Sequence, residues 1–157
     1  MRLYFMRHAI AQDATAEIPD EKRQLTDKGI SNTQQAARAI KAFGLQPNRF
    51  YTSPLTRAYE TADIVGKALG ITPEVRKELS PGFSIHAVEL LTQGLGEDDE
   101  VLFVGHEPDM SMTISSLSGG RVIMKRGGLA RVDIIAREPM LGELVWLIAP
   151  RVFDELH

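Results

Sequence analysis

The sequence predicts an α/β protein in which a mostly parallel central sheet carries helices on both faces, a three-layer α/β/α sandwich. Two observations lead to this fold class. Short apolar runs typical of buried strands, such as residues 3–6 and 101–104, alternate along the chain with longer stretches of helical periodicity. The composition, 43% hydrophobic and 25% charged, is that of an ordinary soluble globular protein. The length of 157 residues fits a single domain over residues 1–157.

The first half of the chain is predicted to form two strands and two helices. The polar stretch over residues 9–25 is long for a connection without regular structure, and such loops often carry function. Capping residues and glycines then mark the helix ends. The predicted elements are a strand at 3–6, a helix capped by Thr26, opened by Asp27 and closed by Gly44, a strand at 50–52, and a helix that starts at Ser53–Pro54, with Ser53 as N-cap, and stops at Gly70.

The second half is predicted to contain two further helices and four strands. The acidic segment Glu97–Glu100 is typical of a solvated turn, and Gly119–Gly120 should break a helix. The predicted elements are a short strand around Val75, a helix from Ile85 to Leu95, a strand at 101–104, a helix from Pro108 to Leu117, and final strands at 129–136 and 143–148.

Composition excludes several classes of function. The net charge of −3 argues against nucleic-acid binding, which needs basic patches. Since the chain has no cysteine, it has no disulfide, thiolate metal site or thiol nucleophile. The N-terminus does not resemble a signal segment, and no apolar run approaches the roughly 18 residues of a membrane span. A cytoplasmic protein with no membrane partner is expected.

Cations and imidazoles at predicted strand ends point to phosphate chemistry. Arg7–His8 follows the first strand run, and Gly105–His106 follows the run at 101–104. Open α/β sheets bind ligands outside the carboxyl ends of their strands. Arg57 lies in the first turn of the second predicted helix, where its guanidinium and the helix N-terminus can face the same anion.

Other interpretations of these residues remain open at this point. A histidine after a strand is more often a loop or capping residue than a catalyst, and His106 could simply cap a helix. Arg57 lies three residues before Glu60 and could form a surface pair with it. A metal site built from His8 and His106 is disfavoured, because nearby arginines repel a cation and no carboxylate lies at ligand spacing.

Four segments in order along residues 3–108 resemble the successive signatures of the histidine phosphatase superfamily, which includes the phosphoglycerate mutases. Each segment alone is weakly specific, but the set of four is highly specific. The short chain, the segment 78–82 and, less specifically, the segment 125–130 resemble the small SixA-type phosphohistidine phosphatases of that superfamily. The four segments are Tyr4–His8, Leu25–Gly29, Ser53–Ala58 extended through Glu60–Ala62, and Val104–Pro108.

The resemblance implies a phosphoglycerate mutase-like fold and a role for each matched residue. His8 would be the nucleophile that forms a phosphohistidine intermediate, which water then hydrolyses. Arg7 and Arg57 would bind the phosphoryl oxygens, and His106 would contact the same oxygens and stabilise transition-state charge. No metal and no other cofactor would be required.

The sequence differs from those of the mutases in two ways that bear on which substrate is expected. No long insertion follows the second helix, so no lid is expected, and an open site suits a bulky substrate. The general acid is open between Glu78 and Glu107, and either could be an exposed carboxylate without a catalytic role. Because protonated imidazole leaves easily from a P–N bond, phosphohistidine needs a strong acid less than an alkyl ester does.

The function that fits these features is hydrolysis of phosphohistidine on a protein. The expected partner is a phosphorylated protein of the histidine-containing phosphotransfer type, or a small phosphorylated molecule. A phosphatase of small phosphate monoesters is the nearest alternative. A phospho-binding module without turnover is a further alternative, but a pure binder would not need both imidazoles.

Overall fold

A computed structural model describes residues 1–155 of the chain. Its elements are β1 (Arg2–Arg7), α1 (Asp27–Ala42), β2 (Arg49–Thr52), α2 (Thr56–Leu69), β3 (Glu74–Val75), α3 (Ile85–Leu91), β4 (Glu100–Gly105), α4 (Asp109–Ser118), β5 (Leu129–Arg137), β6 (Met140–Ile148) and α5 (Pro150–Asp154).

The six strands form one sheet with the order β3-β2-β4-β1-β5-β6. Neighbouring pairs from β3 to β1 are parallel, whereas β5 is antiparallel to both β1 and β6. The mostly parallel sheet is therefore confirmed.

Two hydrophobic cores on opposite faces of the sheet confirm the three-layer arrangement. Successive side chains of a strand point to opposite faces, so Leu3 and Phe5 enter one core while Tyr4 and Met6 enter the other. The first core packs against α3 and α4, and the second against α1, α2 and α5. Complete burial of one large apolar side chain such as Phe5 contributes about 1.5–3 kcal/mol.

The first helix begins where its sequence predicts. Thr26 is the N-cap of α1, and its Oγ1 accepts a hydrogen bond of 3.0 Å from the amide of Gly29. A Cβ at Gly29 would lie 2.1 Å from the carbonyl oxygen of Ile10, so only glycine fits this contact. The first turn of α1 therefore packs directly against Ile10, in the loop that follows β1.

The second helix starts later than predicted. Ser53 is not its N-cap; Leu55 occupies that position and α2 begins at Thr56. The reason is a turn before the helix, in which Ser53 Oγ accepts a hydrogen bond of 3.2 Å from the amide of Leu55. The same hydroxyl lies 2.7 Å from Nε2 of His106, so a second contact holds it outside the helix.

Other boundaries differ from the sequence prediction as well. Strand β6 begins at Met140 rather than at residue 143, because its antiparallel pairing with β5 continues up to the pair Arg137 and Met140. Helix α3 ends at Leu91 rather than Leu95; Thr92 is its C-cap, and Gly94, with a φ of +76°, lies in the turn that follows. Glu100 is the first residue of β4 rather than part of the acidic turn. Pro108 is the N-cap of α4 rather than its first residue. The terminal helix α5 was not predicted.

The connection between α2 and β3 consists only of residues 70–73. No lid is inserted there, as the sequence predicts. None of the helices within residues 1–155 is both long and apolar enough to cross a bilayer.

Candidate active site

The topology brings the candidate residues to one edge of the sheet. Strands β1, β2 and β4 are parallel neighbours, so their carboxyl ends lie side by side. Arg7 pairs with Gly105 in the sheet register, and the amide of His8 donates to the Gly105 carbonyl at 3.0 Å. The amide of Ser53 donates to the carbonyl of Val104 at 3.0 Å. These bonds place the two histidines directly after adjacent strands.

His8 is buried and is held in one tautomer by the backbone. The residue is only 8% exposed. Nδ1 lies 2.7 Å from the carbonyl oxygen of Ala9, which only accepts, so Nδ1 carries the hydrogen. Nε2 is then unprotonated, and it accepts a hydrogen bond of 3.3 Å from Nε of Arg57. The amide of Ala9 donates to Thr61 Oγ1 at 3.1 Å, which fixes the carbonyl that orients the ring.

His106 lies beside His8 with their ring centroids 5.4 Å apart. It is 3% exposed, and its Nε2 lies 2.7 Å from the Ser53 hydroxyl. Burial lowers the pKa of His8 to about 3, against the opposing hydrogen bond to Ala9. Burial and the charge of Arg57 lower the pKa of His106 to about 4. Both imidazoles are therefore neutral at neutral pH.

Arg57 is only 6% exposed and contacts the ring of His8, so it is not a surface residue. Its Nη1 donates to the carbonyl oxygen of Asp20 at 2.8 Å, and its Nη2 to Oδ2 of the same residue at 3.3 Å. Glu60 does not pair with it; Glu60 Oε1 instead accepts from the amide of Leu25 at 3.0 Å. Burial lowers the pKa of Arg57 and the Asp20 carboxylate opposes that shift, but a guanidinium stays charged at neutral pH.

Arg7 is held by a different part of the chain, the loop between α4 and β5. Its Nη1 donates to the carbonyl oxygen of Met124 at 3.0 Å. The amide of Gly127 donates to the carbonyl oxygens of both Arg7 (3.1 Å) and His8 (3.0 Å), which ties the loop after α4 to the end of β1. Burial lowers the pKa of Arg7, Glu107 opposes this, and Arg126 adds to it.

Within residues 1–155, three buried side-chain atoms have no hydrogen-bond partner, and two of them lie at this site: Arg7 Nε and His106 Nδ1. Buried polar nitrogens of this kind are normally satisfied. An oxyanion held between the two residues could accept hydrogen bonds from both. No three or more His, Cys, Asp or Glu side chains in the same range group together as metal ligands.

Glu78 is held by a cation from its own segment. Its two carboxylate oxygens accept hydrogen bonds of 3.2 and 3.3 Å from Nη2 and Nε of Arg76. These bonds lower the pKa of Glu78 below its ordinary value. The carboxyl is thus ionised at neutral pH, which does not suit a proton donor.

Glu107 binds the first turn of α4. Its Oε1 accepts a hydrogen bond of 2.8 Å from the amide of Ser111, and its Oε2 accepts one of 2.5 Å from the Ser111 hydroxyl. That hydroxyl in turn accepts from the amide of Met124 at 3.1 Å. Both oxygens therefore have a structural use, anchoring the loop that contacts Arg7.

The structure adds residues that the sequence did not single out for the site. Asp20 was not predicted because its contact depends on how the long polar loop folds back over α2. Ser53 and Thr61 lie inside the recognised segments, but only the fold shows that one hydroxyl contacts His106 and the other fixes Ala9. Met124 contributes a backbone carbonyl, which no sequence pattern reveals.

Comparison with known proteins agrees with this geometry. Residues 3–81 match the family model of the histidine phosphatase superfamily (branch 1). An uncharacterised protein of Picosynechococcus sp. is 34% identical over 147 residues, which cover 85% of this chain and 89% of that protein. The phosphohistidine phosphatase SixA of Escherichia coli is 27% identical over 154 residues, covering 96% of this chain and 94% of SixA.

A solved structure shows the same fold over the whole length. The protein histidine phosphatase SixA complexed with tungstate superposes with a TM-score of 0.85 at 26% identity, covering 97% of this chain and 99% of that chain. The chain therefore belongs to the histidine phosphatase superfamily, branch 1, and is a SixA-like phosphatase within it.

Proposed function

We propose that this protein hydrolyses phosphohistidine on another protein through a covalent phospho-His8 intermediate. The observation that carries the proposal is the state of His8. The Ala9 carbonyl holds the hydrogen on Nδ1, and burial keeps the ring neutral, so Nε2 presents a lone pair next to a buried guanidinium. A neutral imidazole with a defined unprotonated nitrogen is the form that a phosphoryl nucleophile requires. The hydrogen bond from Arg57 Nε orients this lone pair in the free enzyme and must yield when Nε2 attacks phosphorus.

In the first step, Nε2 of His8 attacks phosphorus and the P–N bond to the substrate imidazole breaks. The leaving imidazole takes its proton from solvent. Arg7, Arg57 and His106 surround the transferred group and stabilise the charge on its oxygens. In the second step, water attacks the phosphorus of phospho-His8, which releases inorganic phosphate and restores the neutral ring.

The hydrogen bonds of Glu78 and Glu107, the two candidates for general acid, favour a substrate whose leaving group departs easily. Arg76 keeps Glu78 ionised, and Ser111 occupies both oxygens of Glu107. Neither arrangement favours proton donation to an alkoxide, which a phosphate ester requires. A phosphohistidine substrate avoids this requirement because protonated imidazole leaves readily.

The open surround of the site supports a macromolecular substrate. Only residues 70–73 connect α2 to β3, so no lid from this part of the chain closes over the phosphoryl group. A small molecule would gain little contact outside its phosphoryl group. A phosphorylated protein, such as one of the histidine-containing phosphotransfer type, brings its own surface to enclose the site. The likeness to a SixA structure that contains tungstate, a tetrahedral oxyanion, also supports phosphoryl binding here.

The proposal is tested by comparing kcat/KM for a phosphohistidine peptide, a phosphoserine peptide and a sugar phosphate. We expect the phosphohistidine peptide to be hydrolysed at least tenfold better than the other two. Glu78→Gln and Glu107→Gln should each change the phosphohistidine rate little. A tenfold preference of the wild type for a small ester would replace the proposal with a general monoesterase.

The same assay tests the assignment of the two imidazoles. Because Arg7 and Arg57 flank them, a cation should be repelled, so EDTA should leave activity unchanged and vanadate should inhibit. Loss of activity in EDTA that a divalent metal restores would instead make His8 and His106 metal ligands.

A further inference from the structure

The loop between α4 and β5 forms an exposed cationic surface, here called the basic ridge and defined as residues 121–126. Its three charged side chains, Arg121, Lys125 and Arg126, are all exposed, and the segment contains no acidic residue. Ile123 at its centre is 73% exposed, more than the other large apolar side chains in the described part of the chain. An exposed apolar side chain among cations is typical of a protein interface, where arginine and apolar anchors are enriched.

The basic ridge is fixed with respect to the nucleophile. A tight turn links Lys125 to Gly128, whose amide donates to the Lys125 carbonyl at 2.7 Å. Gly127 in this turn has a φ of +79° and donates its amide to the carbonyl oxygens of Arg7 and His8. The ridge also supplies the Met124 carbonyl that Arg7 contacts. The backbone of the ridge is therefore tied, through residues 124–127, to the end of the strand that carries Arg7 and His8.

The ridge cations take no part in the fold's own ion pairs. None of the ion pairs within 4.0 Å among residues 1–155 includes Arg121, Lys125 or Arg126. Across the site, the loop over residues 9–25 carries a mixture of charges, with exposed acidic residues that include Asp13, Glu17, Asp20 and Glu21. The ridge thus differs in charge from this loop, which carries four acidic residues and two basic ones.

We propose that the basic ridge docks an acidic surface of the phosphorylated protein and so guides its phosphohistidine onto His8. This inference rests on the proposed function and names the partner's chemistry: carboxylates next to the phosphohistidine on one side. A flat anionic bilayer or a nucleic acid would also meet the four acidic residues of the loop over residues 9–25, which would oppose its binding. A protein can match a one-sided charge pattern, which raises the rate of productive encounter.

The test uses three phosphohistidine probes: free phosphohistidine, a peptide with glutamates beside the phosphohistidine, and the same peptide with glutamines in their place. At low ionic strength, the wild type should hydrolyse the glutamate peptide about tenfold better in kcat/KM than the glutamine peptide. The double variant Arg121→Glu/Lys125→Glu should lose this preference and keep its rate on free phosphohistidine. Raising the salt concentration should also reduce the preference, since exposed charges are screened.

A matched control reverses two cations on α1, Arg38→Glu/Lys41→Glu, which are exposed and outside the ridge. It makes the same change in net charge and should retain the peptide preference. Equal rates on both peptides in the wild type would overturn the docking proposal while leaving the phosphatase intact. Hydrolysis of none of the three probes would instead contradict the proposed function itself. Ridge-dependent binding to vesicles of anionic lipid, with no peptide preference, would replace the protein partner with a membrane surface.

Discussion

The two arginines of the site are held in opposite ways. Arg57 has all three guanidinium nitrogens engaged, by His8 Nε2 and by the backbone and carboxylate of Asp20. Arg7 has one bond, to the carbonyl of Met124, and its buried Nε has no partner within the described residues. One cation is already neutralised by a carboxylate, whereas the other lies beside the basic ridge.

This difference suggests that Arg7 and Arg57 play different roles in binding the phosphoryl group. Arg7 can receive a phosphoryl oxygen without giving up a protein contact. Arg57 must exchange the Asp20 carboxylate for the phosphoryl group, or share its planar fork between them. The Arg57 contact also orients the unprotonated Nε2 of His8, the atom that the proposed mechanism uses as nucleophile. The Arg7 side should therefore dominate first capture of the anion, and the Arg57 side the geometry of transfer.

The largest expected effects come from the arginines themselves. Arg57→Ala and Arg7→Ala should each lower kcat/KM by two to three orders of magnitude, since loss of one such transition-state contact costs roughly 3 kcal/mol. Lysine should restore more activity at position 7 than at position 57. An ammonium group cannot replace the planar guanidinium of Arg57, which donates hydrogen bonds from all three of its nitrogens. Steady-state kinetics with thermal melting checks this, and Arg49→Ala at the exposed start of β2 is the control. Equal rescue by lysine at both positions would remove the distinction.

The buried histidines predict a loss of stability in acid. In the folded state the pKa of His8 is about 3 and that of His106 about 4, against about 6.5 in the unfolded chain. Between about pH 4 and 6.5 the unfolded state binds more protons, so stability falls as the pH decreases, by up to about 1.4 kcal/mol per pH unit for each histidine.

Denaturant unfolding at several pH values measures this slope. His8→Asn and His106→Asn should each flatten it, whereas His86→Gln, which removes an exposed imidazole on α3, should not. A slope that is unchanged in both asparagine variants would show that the imidazoles are not buried in their neutral form.

A smaller effect is expected from releasing the Arg57 fork. The hydrogen bond from Arg23 and the charge of Arg57 lower the pKa of Asp20, so its carboxylate competes with an oxyanion at neutral pH. Asp20→Asn should tighten inhibition by inorganic phosphate about three- to tenfold. Asp13→Asn, an exposed substitution in the same loop, should not. Weaker phosphate inhibition in Asp20→Asn would mean that the carboxylate positions the fork and does not compete.

The smallest effect on catalysis is expected on the Arg7 side, at Glu107. Glu107→Ala removes both acceptors from Ser111 and should lower the free energy of unfolding by about 1 kcal/mol, as loss of a helix cap does. Turnover of phosphohistidine should stay within about threefold. Chemical denaturation and the peptide assay check the two readouts separately. A hundredfold loss of turnover at wild-type stability would make Glu107 the general acid.

Much of the fold was predictable because its signals are local. The alternating apolar runs predict the strands, and Thr26 predicts the start of α1 through a hydrogen bond made within four residues. The predicted start of α2 was wrong because the Ser53 hydroxyl accepts from the amide of Leu55 in a turn before the helix and also contacts His106, so it does not cap the helix. The terminal helix α5 lacks a long apolar stripe and contributes mainly Phe153 to the core, so its pattern was too short to predict.

The candidate site divides in the same way. Arg7, His8, Arg57 and His106 were predicted because strand ends and a helix start are visible in the sequence. Asp20 and the Met124 carbonyl were not, since their positions depend on loops that fold back from distant parts of the chain. The sequence could not distinguish Glu78 from Glu107 as a candidate general acid. The two carboxyl groups differ in their hydrogen-bond partners, which depend on how the chain packs.

The central claim is that His8 carries the phosphoryl group, and trapping the intermediate tests it most directly. The enzyme is mixed with a phosphohistidine peptide labelled with ³²P, quenched rapidly in alkali, and mapped by peptide analysis. The wild type should carry a label on His8 that is stable in alkali and labile in acid, up to one phosphate per chain. The His8→Asn variant, once its thermal melting curve has shown that it is folded, should carry no label. Turnover by the wild type without a labelled histidine, or a label on His106 instead, would contradict the account.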